Sequence, residues 1–255
     1  MQITDTHTHL YSEAFDDDRD LVINRAIENG VKRFFIPAID STYTNSMLEL
    51  RAKYPDKMFL MMGLHPTHVK ENYKEELDHV VSMLEKGGFV AVGEIGIDLY
   101  WDKSTLKKQQ EAFRFQINLA KKHELPIVIH CRDSFDEIFE ILETEQSDDL
   151  FGIFHCFTGS LDQAKRAIKL NMKLGIGGVI TFKNGKIDRF IDQIDPVNIV
   201  LETDSPYLAP TPYRGKRNES AYIVNVLNKL AEIYNCSPAE LAEITTRNSK
   251  AIFKI

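Results

Sequence analysis

Eight short apolar segments rich in β-favouring residues recur along the chain with amphipathic segments between them, and no other property of the sequence restricts the fold as much. Strands are expected over 1–4, 31–39, 58–64, 89–97, 127–130, 152–156, 172–177 and 198–203. Helical spacing fills the intervals at 16–29, 44–53, 74–86 and 105–123, after Asp133, after Ser160, and over a shorter stretch at 186–193. Leu21, Val22 and Ala26 repeat at that spacing before Gly30 as a stop, and Leu106, Phe113, Ile117 and Ala120 share one side of the longest helix. Apolar strands alternating with amphipathic helices describe a parallel sheet covered on both faces. Eight units in 255 residues leave about 32 residues each, which is what one βα unit requires. The expectation is an α/β protein, one TIM-type (β/α)8 barrel domain over 1–255. Two extra C-terminal helices follow at 219–234 and 239–248, the second capped by Ser237 with Pro238 in its first position. An open doubly wound sheet would carry a glycine-rich phosphate fingerprint after its first strand, and none is present.

No apolar run approaches the roughly 20 residues that span a bilayer, and the N-terminus lacks a basic region followed by an apolar core. A soluble, cytoplasmic protein is therefore expected, with no membrane partner and a monomeric state. The three cysteines, Cys131, Cys156 and Cys236, cannot all pair and form no CxxC, which fits a reducing compartment. A net charge of -7 argues against holding nucleic acid by a broad basic surface. It leaves a phosphate ester open as substrate, because bound cations reverse the field locally.

The ionisable residues fall at the ends of these strands. His7 and His9 end strand one, His65 strand three, Glu94 strand four, His130 strand five, His155 strand six and Asp204 strand eight. In extended chain residues i and i+2 face one side, so His7 and His9 can grip one cation together. In a barrel all these ends meet at one mouth, where such enzymes assemble their sites. The remaining histidines, His68, His79 and His123, read as solvated surface. The clustered donors are too many for one tetrahedral ion that keeps a position open, so two divalent ions fit better, with Glu94, flanked by Gly93 and Gly96, as the bridge. By alternation Asp5 and Glu202 are candidates to orient ligating imidazoles. Cys131 and Cys156 point the other way, as small apolar filler.

These residues lie in DTHTHL at 5–10, GLHP at 63–66, VGEIGID at 92–98, IHCR at 129–132, FHCFTG at 154–159, GIGGVITFKN at 175–184, LETDSPYLAP at 201–210 and RGKRNE at 214–219. In combination and order they resemble the TatD family of metal-dependent deoxyribonucleases, within the amidohydrolase-like barrels, over essentially the whole chain. The resemblance implies one metal held by His7, His9 and Asp204, a second by His130 and His155, and Glu94 between them, with His65 and Arg132 contacting phosphate. It places the chain in the HxH-bearing branch. Ser220 stands where the family commonly has proline, a change that removes no ligand. Where related barrels bridge their ions with a carbamylated lysine on strand four, this chain has Glu94, which argues against dihydroorotase-like and phosphotriesterase-like chemistry.

The expected activity is hydrolysis of DNA phosphodiesters from an end, with Asp204 orienting the water and taking its proton, Glu94 sharing the catalytic centre, and zinc, manganese or magnesium as the ions. A hydrolase of a small amide, lactone or phosphate ester using the same ions is the alternative; a metal-binding protein without turnover is disfavoured because no ligand is replaced. Arg132 either forks onto phosphate or pairs with Asp133 or Asp136. Lys183, Lys216 and Arg217 either follow a DNA backbone or are solvated surface charge.

Overall fold

The computed structural model describes residues 1–255. Its strands are β1 (Ile3–Asp5), β2 (Val31–Ile36), β3 (Met58–Met62), β4 (Ala91–Asp98), β5 (Ile127–Arg132), β6 (Gly152–Phe154), β7 (Met172–Ile176) and β8 (Ile199–Leu201), all parallel and in sequence order. Beyond β1 and β8 the two segments keep pairing. Thr6 N–H donates to Leu201 O and Asp204 N–H to His7 O, each at 2.9 Å, and Thr8 bridges Ser205, which closes the barrel.

Helices α1 (Arg19–Glu28), α2 (Thr44–Lys53), α3 (Tyr73–Lys86), α4 (Leu106–His123), α5 (Phe135–Thr144) and α6 (Leu161–Lys169) follow the first six strands, and α7 (Ile223–Tyr234) and α8 (Pro238–Phe253) follow β8. The helix expected over 186–193 is instead two 3-10 turns, Ile187–Arg189 and Ile191–Gln193. Phe190 between them takes φ -147°, which breaks the helix while Ile187 and Ile191 stay buried. Several strands are also shorter than expected. Pairing stops at Met62, Phe154 and Leu201, so His65, His155 and Asp204 stand just past their strands on residues turned toward the mouth.

Helix α8 runs five residues further than its apolar spacing indicated, and its last turn explains why. Ile252 and Phe253 insert among Phe35, Met61, Ala91, Val128, Ile153 and Val200, the side chains that fill the barrel interior, and the Phe253 ring stacks on Phe35 with centroids 3.9 Å apart. Helix α4 has a different function. Gln109 and Gln116, seven residues apart and buried, face the barrel: Gln109 accepts from Asp98 N–H at 2.8 Å and donates to Asp98 O, and Gln116 does the same for Leu64 at 2.7 and 3.2 Å. Two strand ends that lack a ladder partner are thereby satisfied by side-chain amides. Replacing Phe253 by alanine opens the floor of the barrel and is expected to lower stability by about 3–5 kcal/mol in urea denaturation; an unchanged midpoint would contradict the plug.

Candidate metal centre

Glu94 reaches the barrel axis through a bulge in β4. Gly93 pairs with Val128 and Ile95 with Ile129, leaving Glu94 as the extra residue, and its N–H donates to Ala38 O at 3.2 Å, beyond the end of β2. Bulges re-aim side chains in this way. Two positions further, Gly96 has φ +141°, and a Cβ there would lie 2.1 Å from His130 O, so only glycine lets β4 and β5 approach at this height. The carboxylate of Glu94 is ringed by imidazoles. Oε2 lies 3.0 Å from His7 Nε2 and 3.8 Å from His9 Nε2; Oε1 lies 2.7 Å from His130 Nδ1, 3.3 Å from His65 Nε2 and 3.8 Å from His155 Nε2. Asp204 Oδ1 adds a second carboxylate 3.5 Å from His9 and 3.8 Å from His155.

The outer nitrogen of each ring decides what its inner nitrogen can do. Tyr11 donates its hydroxyl to Pro37 O, so it accepts from His9 Nδ1–H at 2.8 Å and leaves the His9 Nε2 lone pair facing inward. Asp98 Oδ2, 2.8 Å from His130 Nε2, is an acceptor that places the same polarity on that ring, and Glu202 Oε1 lies 3.0 Å from His155 Nδ1 as an ion-pair partner, without a hydrogen bond between them. His65 is reversed. Its Nδ1 accepts from Thr67 N–H at 3.2 Å, so its neutral ring presents Nε2–H, a donor, to the centre. Glu202 fits because position 175 is glycine, where a Cβ would lie 2.2 Å from its carboxylate.

Burial lowers the pKa of His7, helped by His155, and brings that of His65 down to about 4, so both are neutral near pH 7. Burial works in the opposite sense on Glu94, yet the surrounding imidazoles of His65, His7 and His155 hold its carboxyl well below the ordinary range. His155, despite burial, is pushed up to about 10 by Glu202, Glu94 and Asp204: the cluster demands positive charge. Both nitrogens of His7 are buried without a hydrogen-bond partner, although its ring stacks on His155 at 3.5 Å. Unsatisfied buried imidazole nitrogens, inward lone pairs and two ionised carboxylates are the donor set of a divalent cation. Four overlapping groups bring ligand atoms close enough to share an ion: His7, His9 and Glu94; His7, His155 and Asp204; His65, Glu94 and His130; and His155, Cys156 and Glu202, the last around a thiol that burial keeps protonated.

Other residues singled out in the sequence lie elsewhere. Asp5 does not reach an imidazole; its carboxylate accepts from Thr203 N–H at 3.0 Å and Thr203 Oγ1 at 2.7 Å, fastening β1 to the end of β8. Arg217 is not free for a ligand, because Asp18 takes it in a fork at 2.7 and 2.8 Å and Glu219 adds a third contact. Lys183 and Lys216 are exposed. His68, His79 and His123 are half-buried rather than solvated; His68 pairs with Asp40 and His79 with Thr44. Burial pushes Cys131 up to about 12 and Cys156 well above the ordinary thiol range, so neither is a thiolate nucleophile. Ser220 is buried with its hydroxyl 3.1 Å from Thr8 Oγ1, behind the histidine pair. Arg132 stacks over Tyr100, its guanidinium carbon 3.8 Å from the ring centroid, outside the imidazole ring.

Residues 4–254 match the family described as TatD related DNase. The chain belongs to the TatD family. The Bacillus subtilis metal-dependent hydrolase YabD is 39% identical over 252 residues, 98% of each chain. The crystal structure of the Escherichia coli TatD homolog YjjV superposes with a TM-score of 0.93 at 30% identity, covering 99% of this chain and 98% of that one. A Salmonella typhimurium relative named as the 3'-5' ssDNA/RNA exonuclease TatD is 29% identical over 257 residues, 98% of each chain. This TatD-family protein is a metal-dependent hydrolase on a (β/α)8 barrel, and none of its helices is long and apolar enough to cross a membrane. Because the Glu202 carboxylate lies 3.0 Å from His155 Nδ1 and adds negative charge behind that ring, Glu202→Gln is expected to weaken divalent-cation binding about 10- to 100-fold in competition with a chromophoric chelator; unchanged affinity would remove Glu202 from that role.

Proposed function

We propose that this protein hydrolyses DNA phosphodiesters from a strand end, using two divalent ions held across Glu94. The observation that carries the reading is the division of the centre by the two oxygens of Glu94. His7 and His9 face one, next to Asp204, while His130 and His155 face the other. His7, His9 and Asp204 would hold one ion and His130 and His155 the second. When bound, such ions supply Lewis acidity, offsetting phosphoryl charge and acidifying the attacking water.

The chain's own groups perform the rest. Asp204, ionised and at the edge of the centre, accepts the proton of the attacking water and orients that water by hydrogen bonding. His65 donates Nε2–H to a nonbridging phosphoryl oxygen, a role that its Thr67-imposed tautomer supports better than it supports ligation through a lone pair. Arg132, in none of the chain's ion pairs and half free above Tyr100, offers a planar fork to a neighbouring phosphate. The exonuclease named among the relatives supports attack from an end. The three free cysteines support a cytosolic location.

The test strips the protein of metal and restores magnesium, manganese and zinc separately, with end-labelled single- and double-stranded DNA as substrates. Cleavage is expected to vanish on stripping and to return with a divalent ion. Asp204→Asn is expected to lower kcat by about 10²- to 10⁴-fold with an unchanged thermal midpoint. Retained activity in that variant would remove Asp204 as base. Failure to cut any DNA under any ion, with hydrolysis of a small ester or amide, would replace the nuclease reading.

A further inference from the structure

Four aromatic side chains are largely exposed, and three of them, Tyr100 at 55%, Trp101 at 71% and Tyr207 at 54%, stand on the loops after β4 and β8 that rim the metal centre. Free rings in water are ordinary when scattered. Here they are concentrated on one rim, and the loop after β4 is held in place. Asp98 Oδ1 accepts from Tyr100 N–H at 3.0 Å and from Trp101 N–H at 3.2 Å, while its Oδ2 lies 2.8 Å from His130 Nε2. One carboxylate thus fixes both a histidine of the centre and the backbone of the aromatic pair. The rings of Tyr100 and Trp101 meet edge to face at 4.9 Å, and the Arg132 guanidinium lies over them, 3.8 Å from the first centroid and 5.6 Å from the second.

We propose that Trp101 and Tyr100, anchored by Asp98 and flanked by Arg132, form a stacking platform for an unpaired nucleobase beside the scissile phosphate, so that the strand taken is single. The inference rests on the nuclease reading above. Charge cannot select the strand here. The groove running outward from Arg132, about 980 Å³, is lined by Arg132, Lys186 and Arg189 but also by Asp133, Asp136 and Glu137, and the whole chain carries -7. Three cations against three carboxylates leave little net attraction for a polyanion. A ring supplies what the charges do not, because base–aromatic stacking tolerates any sequence and demands that the base be free of its own neighbours. In a duplex those faces are occupied. Arg132, with no carboxylate partner, meets the phosphate next to the stacked base.

Trp101 is the chain's one tryptophan, so its emission reports on the platform alone. Metal-loaded protein is titrated with a phosphorothioate-linked oligothymidylate, an abasic strand of equal length and a blunt hairpin duplex, following tryptophan emission and the anisotropy of end-labelled strands. The oligothymidylate is expected to quench the emission, and the abasic strand and the duplex to leave it unchanged. Trp101→Ala is expected to weaken oligothymidylate binding about 5- to 150-fold and to leave abasic-strand binding unchanged, with Trp101→Phe restoring most of the loss. A phosphorothioate oligothymidylate that is bound, with its phosphodiester counterpart cut, yet that neither quenches Trp101 nor distinguishes Trp101→Ala from the parent would overturn the platform and leave the nuclease reading standing. If no strand is bound or cut, the nuclease reading fails and the platform with it.

Discussion

A carboxylate buried to 2% exposure, as Glu94 is, costs several kcal/mol unless positive charge surrounds it. The arrangement of the barrel mouth follows from that demand. Five histidines approach Glu94 from the ends of four strands, and their rings divide between its two oxygens. A closed parallel barrel brings this about because every strand end faces one axis. The bulge at Glu94 supplies the one turn of backbone that alternation along β4 does not.

What each histidine contributes is set one contact further out. Tyr11 and Asp98 accept from the outer nitrogens of His9 and His130, Glu202 sets its charge against that of His155, and Thr67 donates to the outer nitrogen of His65. A ring of the same residue type thereby becomes a lone-pair donor or a hydrogen-bond donor according to its neighbour. The chain of dependence continues outward: Gln109 on α4 holds the backbone of Asp98, and Asp98 holds both His130 and the loop of Tyr100 and Trp101. Helix α4 therefore sets the position of the site although none of its residues touches it.

Much of this was legible in the sequence, for physical reasons. Strand and helix periods differ, so the alternation that makes a barrel is visible, and ionisable residues at the ends of apolar strands stand out from the runs before them. The outer contacts were not legible. Asp98 lies only two residues beyond Gly96, yet nothing in its spacing tells that it faces His130; Gln109 and Gln116 sit on the buried face of a helix whose pattern reads as merely amphipathic. Arg217 looked free because its partner Asp18 is 199 residues away in sequence. The stretch at 186–193 carries helical spacing in Ile187 and Ile191, and the spacing of two residues cannot reveal that Phe190 leaves the helical φ range. Helix α8 outran its expected end because its last turn is held by the barrel interior, a tertiary contact with no local signature.

The division of the centre by Glu94 is open to direct observation. Crystals grown with manganese and measured at its absorption edge should show two anomalous maxima about 3.5–4 Å apart on either side of the Glu94 carboxylate, one toward His7, His9 and Asp204 and the other toward His130 and His155. A single maximum, or one that does not border Glu94, would contradict a bridged pair.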